Sequence, residues 1–171
     1  MQIPVQDGTT VLMIEQRDTL AWAMVPELIR RVREFCTKYD SEGDPVAVDA
    51  TIRTEFVRPT PGVVGFLHLD ELGTPIGHLL ASVGDWMGTK IVTILQVESG
   101  RISAPLAGAM LDWLSRWGER NGAKSIHCTT RNEALARLFS GKYGFERGMV
   151  LMRRPIVLTT KVGHMTKEVG Q

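Results

Sequence analysis

Ile91-Val92-Thr93-Ile94-Leu95-Gln96-Val97 is almost unbroken apolar and β-branched sequence, bounded by Gly88 and by Glu98-Ser99-Gly100. A short continuous run of this kind suits a strand buried on both faces. Immediately downstream, Leu106, Ala109 or Met110, Trp113, Leu114 and Trp117 recur at helical spacing between Pro105, which suits the first helical position, and Asn121-Gly122, with Gly122 as the C-terminal cap. Lys124 to Thr129 reads as a second strand. Asn132 to Lys142 reads as a second helix, with Ala134, Leu135, Leu138 and Phe139 on one face and Gly144 as its stop. Strand, helix, strand, helix at this pitch predicts a right-handed β-α-β unit with a further helix laid over it.

Upstream, residues 1 to 10 are polar and turn-like, and Val11 to Gln16 alternates as a first strand with Asp18 or Thr19 as a helix cap. A helix should run from Trp22 or Pro26 to Tyr39. Leu28, Ile29, Val32, Phe35 and Cys36 form its apolar stripe, opposite Arg30, Arg31, Arg33 and Glu34. The three arginines fit either a patch for an acidic ligand or the wet face of an amphipathic helix. Asp40 to Pro45 is loop by composition, and Val46 to Arg58 favours helix over strand, with Asp49 as its cap. Beyond Pro59-Thr60-Pro61-Gly62 comes a β-meander: a strand at Val63 to Asp70, a turn at Glu71 to Pro75, a strand at Ile76 to Val83 and a turn at Gly84 to Gly88. His68 and His78 lie in this meander. Each is a candidate base or ligand, and the plainer reading is a strand histidine with an ordinary hydrogen bond. Phe145 to Arg154 reads as a last strand or bent strand pair, and Gly163 to Gln171 as a tail.

The 171 residues predict one domain, with 43% hydrophobic and 23% charged residues and a net charge of +1. That charge gives no field to announce a nucleic-acid or anionic-membrane partner. Cys36 and Cys128 lack metal-type spacing and read as two buried, reduced thiols. No stretch has the length of a membrane span or the make-up of a signal peptide, which points to a cytoplasmic protein.

The run Asn132-Glu133-Ala134-Leu135-Ala136-Arg137-Leu138-Phe139-Ser140-Gly141-Lys142-Tyr143-Gly144-Phe145 resembles the segment that closes the acyl-CoA-binding core of the GNAT N-acyltransferases, with one extra residue between the aromatic and Gly-Phe. The order of elements over residues 10 to 154 is also similar to that family, with 155–171 as an extension. The resemblance implies an α/β (α+β) GNAT-like fold, a mixed and mostly antiparallel sheet around the β-α-β-α core, and acetyl-CoA or another acyl-CoA as cofactor. It places Gln96 and Val97 along the pantetheine arm, with Asn132 touching it. Arg101, Ile102, Ser103, Ala104, Pro105, Leu106 and Ala107 form the loop and helix start that hold the pyrophosphate, and Phe139 stands where the family carries a tyrosine. The family's loop has glutamine or arginine where Ile102 falls and glycine where Pro105 falls; Ala107 conforms. Isoleucine has no donor and proline no N–H, so weak or absent CoA binding is expected.

The catalytic candidates implied are Glu98, as base, and Tyr143, one turn after Phe139, as the acid that protonates the leaving thiolate. Their plainer readings are a solvated loop glutamate and a packing tyrosine. Three functions are weighed. One is an N-acyltransferase acting on a small-molecule or protein amine. Another is an inert GNAT-fold structural or assembly protein, such as a phage virion component, with protein partners or self-assembly. A third is binding of a different small molecule in a pocket helped by Trp86, Met87, Trp113 and Trp117.

Overall fold

A computed structural model of the chain describes residues 2–5, 8–15, 21–39, 44–57, 62–99, 103–130 and 133–146. Its strands are β1 (Gln2–Pro4), β2 (Thr10–Ile14), β3 (Val63–Leu69), β4 (Pro75–Trp86), β5 (Thr89–Ser99) and β6 (Ser125–Cys128). Its α-helices are α1 (Val25–Tyr39, entered through a 3₁₀ turn at Ala21–Met24), α2 (Pro45–Val57), α3 (Ala104–Arg120) and α4 (Glu133–Lys142). The strands lie in one sheet in chain order. Each neighbouring pair is antiparallel except β5 and β6, which the α3 crossover makes parallel.

Two apolar layers sandwich this sheet. On one face Val11, Met13, Val64, Phe66, Leu79, Ala81, Val92 and Ile94 pack under Leu106, Met110, Leu114 and Trp117 of α3. On the other, Leu12, Ile14, Val63, Leu67, Leu69 and Leu80 meet Leu28, Ile29 and Val32 of α1 and Ile52 and Phe56 of α2. Alternate residues of each strand feed opposite layers, as the period of two requires. The central strands are covered on both sides, which is why β3 is buried along its whole length.

The boundaries differ from the sequence expectation in several places. Residues 2–4 are a strand rather than a turn-like lead, paired with Thr10 to Leu12. The α2 helix is capped by Asp44, whose carboxylate accepts from the Val46 N–H at 2.9 Å, and Pro45 opens it. Asp49 is therefore not the cap; it lies a turn inside and pairs with Arg53 at 2.6 Å. Gly84, Asp85 and Trp86 are strand, not turn, and pair with Ile91, Lys90 and Thr89. The hairpin turns on Met87 and Gly88 alone, both at positive φ (50° and 80°), as a two-residue loop between right-twisted strands requires. In α3, Ser103 is the cap and Pro105 is the second helical residue. Asn121 closes the helix, and Gly122 follows at φ 78°. The expected last strand after Phe145, and the tail, lie outside the described residues beyond Glu146.

One irregularity organises the rest. Leu80 pairs with Gln96 but Ala81 pairs with Ile94, so Leu95 is an extra residue in β5, a β-bulge. A bulge of one residue exchanges the faces of everything beyond it. Val92 and Ile94 point toward α3, and after the bulge it is Val97 that packs on that side. Gln96 and Glu98 turn instead to α1, where they bond Cys36 and Lys38. Leu95 itself is half exposed, so β5 is not covered on both faces along its whole length.

Leu95→Ser should therefore hold unfolding stability within about 0.5 kcal/mol of wild type, as an exposed substitution does. Deleting Leu95 makes the ladder regular, keeps Gln96 opposite Leu80 and Glu98 opposite His78, and should likewise cost no more than about 1 kcal/mol, read by urea denaturation. A loss on the order of 3 kcal/mol on deletion would contradict Leu95 as the extra residue.

Candidate functional site

The β5–β6 ladder runs only from Ile91↔Ser125 to Ile94↔Cys128. Strand β5 continues to Ser99, and among the described residues no strand pairs with its outer edge beyond Ile94. A run of backbone N–H and C=O groups is thus left open where the two strands part. Such an edge is a template for any extended chain of amides.

The head of α3 lies beside this parting. Ser103 Oγ accepts from the Leu106 N–H at 3.2 Å, and the Ser103 carbonyl accepts from the Ala107 N–H at 3.0 Å. Pro105 has no N–H to offer. A helix N-terminus attracts anions through its unpaired amides. Here proline removes one of those amides and the serine cap occupies another.

At the C-terminal end of α4, the Tyr143 hydroxyl donates to the Ala104 carbonyl at 2.9 Å. Its ring meets Phe139 edge-on at 6.3 Å, and Phe139 stacks on Phe145 at 5.0 Å. Gly144, at φ 70°, ends the helix and lets the Phe145 N–H return to the Phe139 carbonyl. The Tyr143 hydroxyl thus ties the end of α4 to the start of α3, while the Gly-Phe return folds back onto Phe139.

Between β5, α3 and α4 lies a cavity of about 30 Å³. His78, Leu79, Ile94, Val97, Glu98, Leu106, Ala107, Met110, Leu111 and Phe139 line it. It is water-sized and mostly apolar. His78 and Glu98 are direct partners across β4 and β5. Around them, on the α1 side, the polar groups form a chain: Gln96 Nε2 donates to Cys36 Sγ at 3.2 Å, and Gln96 Oε1 lies 3.4 Å from His78 Nε2. An amide oxygen only accepts, so this contact places the imidazole proton on Nε2. His78 is 1% exposed and its Nδ1 has no hydrogen-bond partner among the described residues. Phe35 of α1 meets its ring edge-on at 5.9 Å. Burial pushes the His78 pKa below its ordinary value, with the Gln96 contact and the Glu98 charge pulling the other way. Glu98, 29% exposed at its side chain, pairs with Lys38 at 3.4 Å.

Of the expected site residues, Val97, Glu98, Leu106, Ala107 and Phe139 come together around the cavity, and Gln96 joins them through His78. Ser103, Ala104 and Pro105 form the α3 head, with Tyr143 bonded to Ala104. Arg101, Ile102 and Asn132 lie outside the described residues. Trp86 and Met87 are exposed at the hairpin tip and Trp117 is core, so they do not build a shared pocket with Trp113, which packs against the α3-side core. Arg30 pairs with Glu27 and Glu34, and Arg31 with Glu27 and the Pro75 carbonyl. Arg30 is exposed, as the wet-face reading expects, whereas Arg31 is part-buried and reaches across to the β4 backbone. Cys36 is buried and Cys128 half-buried, both free thiols, and burial raises the Cys128 pKa. No group of metal-ligating side chains occurs among the described residues, and no helix among them is long and apolar enough to cross a membrane. His78, one of the two strand histidines that the sequence offers as a base or ligand, is the one that borders this cavity. A two-residue turn at Met87-Gly88 alone sets it opposite Val97; only with the extra residue at Leu95 does it face Glu98.

No protein-family model and no curated protein sequence matches the chain. Solved structures do. One is an aminoglycoside acetyltransferase from an uncultured soil metagenomic sample, in complex with trehalose (TM-score 0.63, 12% identity, 89% of this chain and 99% of that one). The aminoglycoside acetyltransferase AAC(6')-Iy matches in complex with a bisubstrate analogue, CoA-S-monomethyl-acetylneamine (TM-score 0.61, 14% identity, 87% and 99%). The same enzyme matches in complex with CoA (TM-score 0.58, 15% identity, 86% and 94%). The chain has the fold of the GNAT acetyltransferases.

The buried His78 has a consequence for stability. Above its ordinary value of 6.5 it is neutral in both folded and unfolded chains. As pH falls through that value the unfolded chain takes up a proton that the folded chain resists, so stability drops until the folded imidazole protonates too. Urea unfolding between about pH 7 and about pH 5 should show this loss, and His78→Gln should flatten it. An unchanged pH slope in the variant would contradict the assignment.

Proposed function

We propose that the protein binds an acyl-CoA and transfers its acyl group to a primary amine. The observation that carries this reading is the parting of β5 from β6 beyond Ile94↔Cys128, with the head of α3 on one side and the Glu98 cluster on the other. The open edge from Leu95 to Ser99, at Gln96 and Val97, pairs with the amides of the pantetheine arm as a strand would. Asn132 touches the same arm. Arg101, Ile102, Ser103 and Ala104, with the turn from Pro105 to Ala107, hold the pyrophosphate, and Phe139 bounds the thioester end. The bound acyl-CoA supplies an activated carbonyl. Glu98 receives the cationic amine beside it, and the amine attacks directly. Tyr143 lies at the α3 head, where its hydroxyl can turn from the Ala104 carbonyl to protonate the departing thiolate.

The solved structures of similar fold include aminoglycoside acetyltransferases, one with CoA bound, which supports a small-molecule amine as acceptor. The reading as an inert scaffold finds no support among them.

Calorimetric titration of the full chain with CoA and acetyl-CoA tests the proposal, with Pro105→Gly alongside. The glycine restores a backbone donor at the α3 head. A charge-assisted hydrogen bond contributes about 1.5–3 kcal/mol, so affinity should rise about tenfold or more. Absence of binding by both proteins at millimolar ligand would sink it.

A further inference from the structure

We propose that His78, through its bare Nδ1, is the base that takes the proton from the incoming ammonium, while Glu98 holds that group's charge. This rests on the transfer reading above. Four observations carry it. His78 lines the same cavity as Val97 and Glu98 and sits directly opposite Glu98 in the β4–β5 register. Gln96 Oε1 accepts from Nε2–H, which leaves a lone pair on Nδ1. That nitrogen is buried with no partner among the described residues. Glu98, by contrast, already has an oxygen engaged by Lys38 and is partly open to water.

An unpartnered acceptor in the interior loses hydration that nothing in the fold repays. Such an atom fits a role met only when a ligand donor arrives. The neighbours keep the ring neutral and correctly oriented. Phe35 packs on it edge-on, and Cys36 Sγ fixes the Gln96 amide, whose oxygen then selects the tautomer. Gln96 is thus a positioning residue. The charged groups facing His78 are Glu98 from β5 and Arg31 and Glu34 from α1, with Lys38 beyond Glu98. Glu98 and Glu34 stabilise the imidazolium once it forms, and Arg31 opposes it. Burial lowers the resting basicity, so the base stays unprotonated to a lower pH than an exposed histidine would.

The step balances. The ammonium gives one proton to Nδ1, and the freed electron pair forms the C–N bond to the thioester carbonyl carbon. The C–S bond breaks, the nitrogen sheds its second proton and the thiolate takes one. The products are the amide, the CoA thiol and a proton that leaves His78 for water.

The full chain is assayed for thiol release from acetyl-CoA with a set of primary amines: aminoglycosides, polyamines, amino sugars and amino acids. Wild type is compared with His78→Gln, Glu98→Gln and Gln96→Leu. In His78→Gln, kcat should fall about 100-fold or more, with the affinity for CoA unchanged, and the acid limb of the pH profile should vanish. Glu98→Gln should raise KM for the amine and keep that limb, and Gln96→Leu should keep it with a smaller loss of rate. Wild-type rate and acid limb in His78→Gln, or loss of the limb in Glu98→Gln alone, would overturn the assignment and leave the transfer reading standing. No thiol release by wild type with any amine would take down the transfer reading and the base with it. Should His78→Gln fail to fold, nitrogen NMR of labelled wild type decides: a proton on Nε2 and none on Nδ1 at neutral pH is expected, and the opposite tautomer would overturn it.

Discussion

The bulge at Leu95 is the constraint from which the site follows. Strand β5 enters the sheet as apolar filling under α3, with Val92 and Ile94 in that layer. One unpaired residue later its parity has reversed, and two polar side chains that would have faced the apolar layer face α1 instead. The reversal costs the ladder one pairing. In return, Gln96 and Glu98 reach partners, and a buried polar side chain without partners would be far more destabilising. The bulge also coincides with the point where β6 ends. The backbone that leaves β6 is therefore the backbone whose side chains have just been turned toward His78.

At the α3 head, two demands compete for the same amides. A helix start is stabilised when a serine side chain closes onto its first turn, typically by about 1 kcal/mol. An anion site needs those amides open. Ser103 and Pro105 settle the balance toward the helix, and Tyr143 ties the Ala104 carbonyl of the same turn to α4. Helix start, α4 and the Gly-Phe return thus form one clamped unit, which fixes where Phe139 enters the cavity and how small that cavity is. A ligand's phosphate at this end would meet fewer backbone donors than a glycine loop presents.

Much of the fold was legible because its strongest periodicities are long. The α1 stripe, the β3 and β5 runs and the α3 face each place several side chains in a layer at the expected spacing. Helix α2 was harder to read, since among its described side chains Ile52 and Phe56 alone are buried and its real cap, Asp44, stands in a run of loop-like residues. Strand β1 is too short for a pattern and exists through its pairing with β2. The cavity residues Val97, Glu98, Leu106, Ala107 and Phe139 could be named because they flank recognisable element ends. His78 could not be singled out, because its partner depends on a turn of two residues and a bulge of one. Composition at Gly84-Asp85 pointed to a longer turn, and no local signal marks Leu95 as the extra residue.

The central claim is that the β5 edge beyond Ile94 pairs with an acyl-CoA. Hydrogen exchange of the backbone amides, followed residue by residue with and without saturating CoA, tests it most directly. The account predicts slowed exchange confined to the stretch from Leu95 to Ser99 and the α3 head, with Ile91 to Ile94 and the β1–β3 amides unchanged. Exchange along Leu95 to Ser99 that is indifferent to CoA, or protection that appears only on other elements, would contradict it.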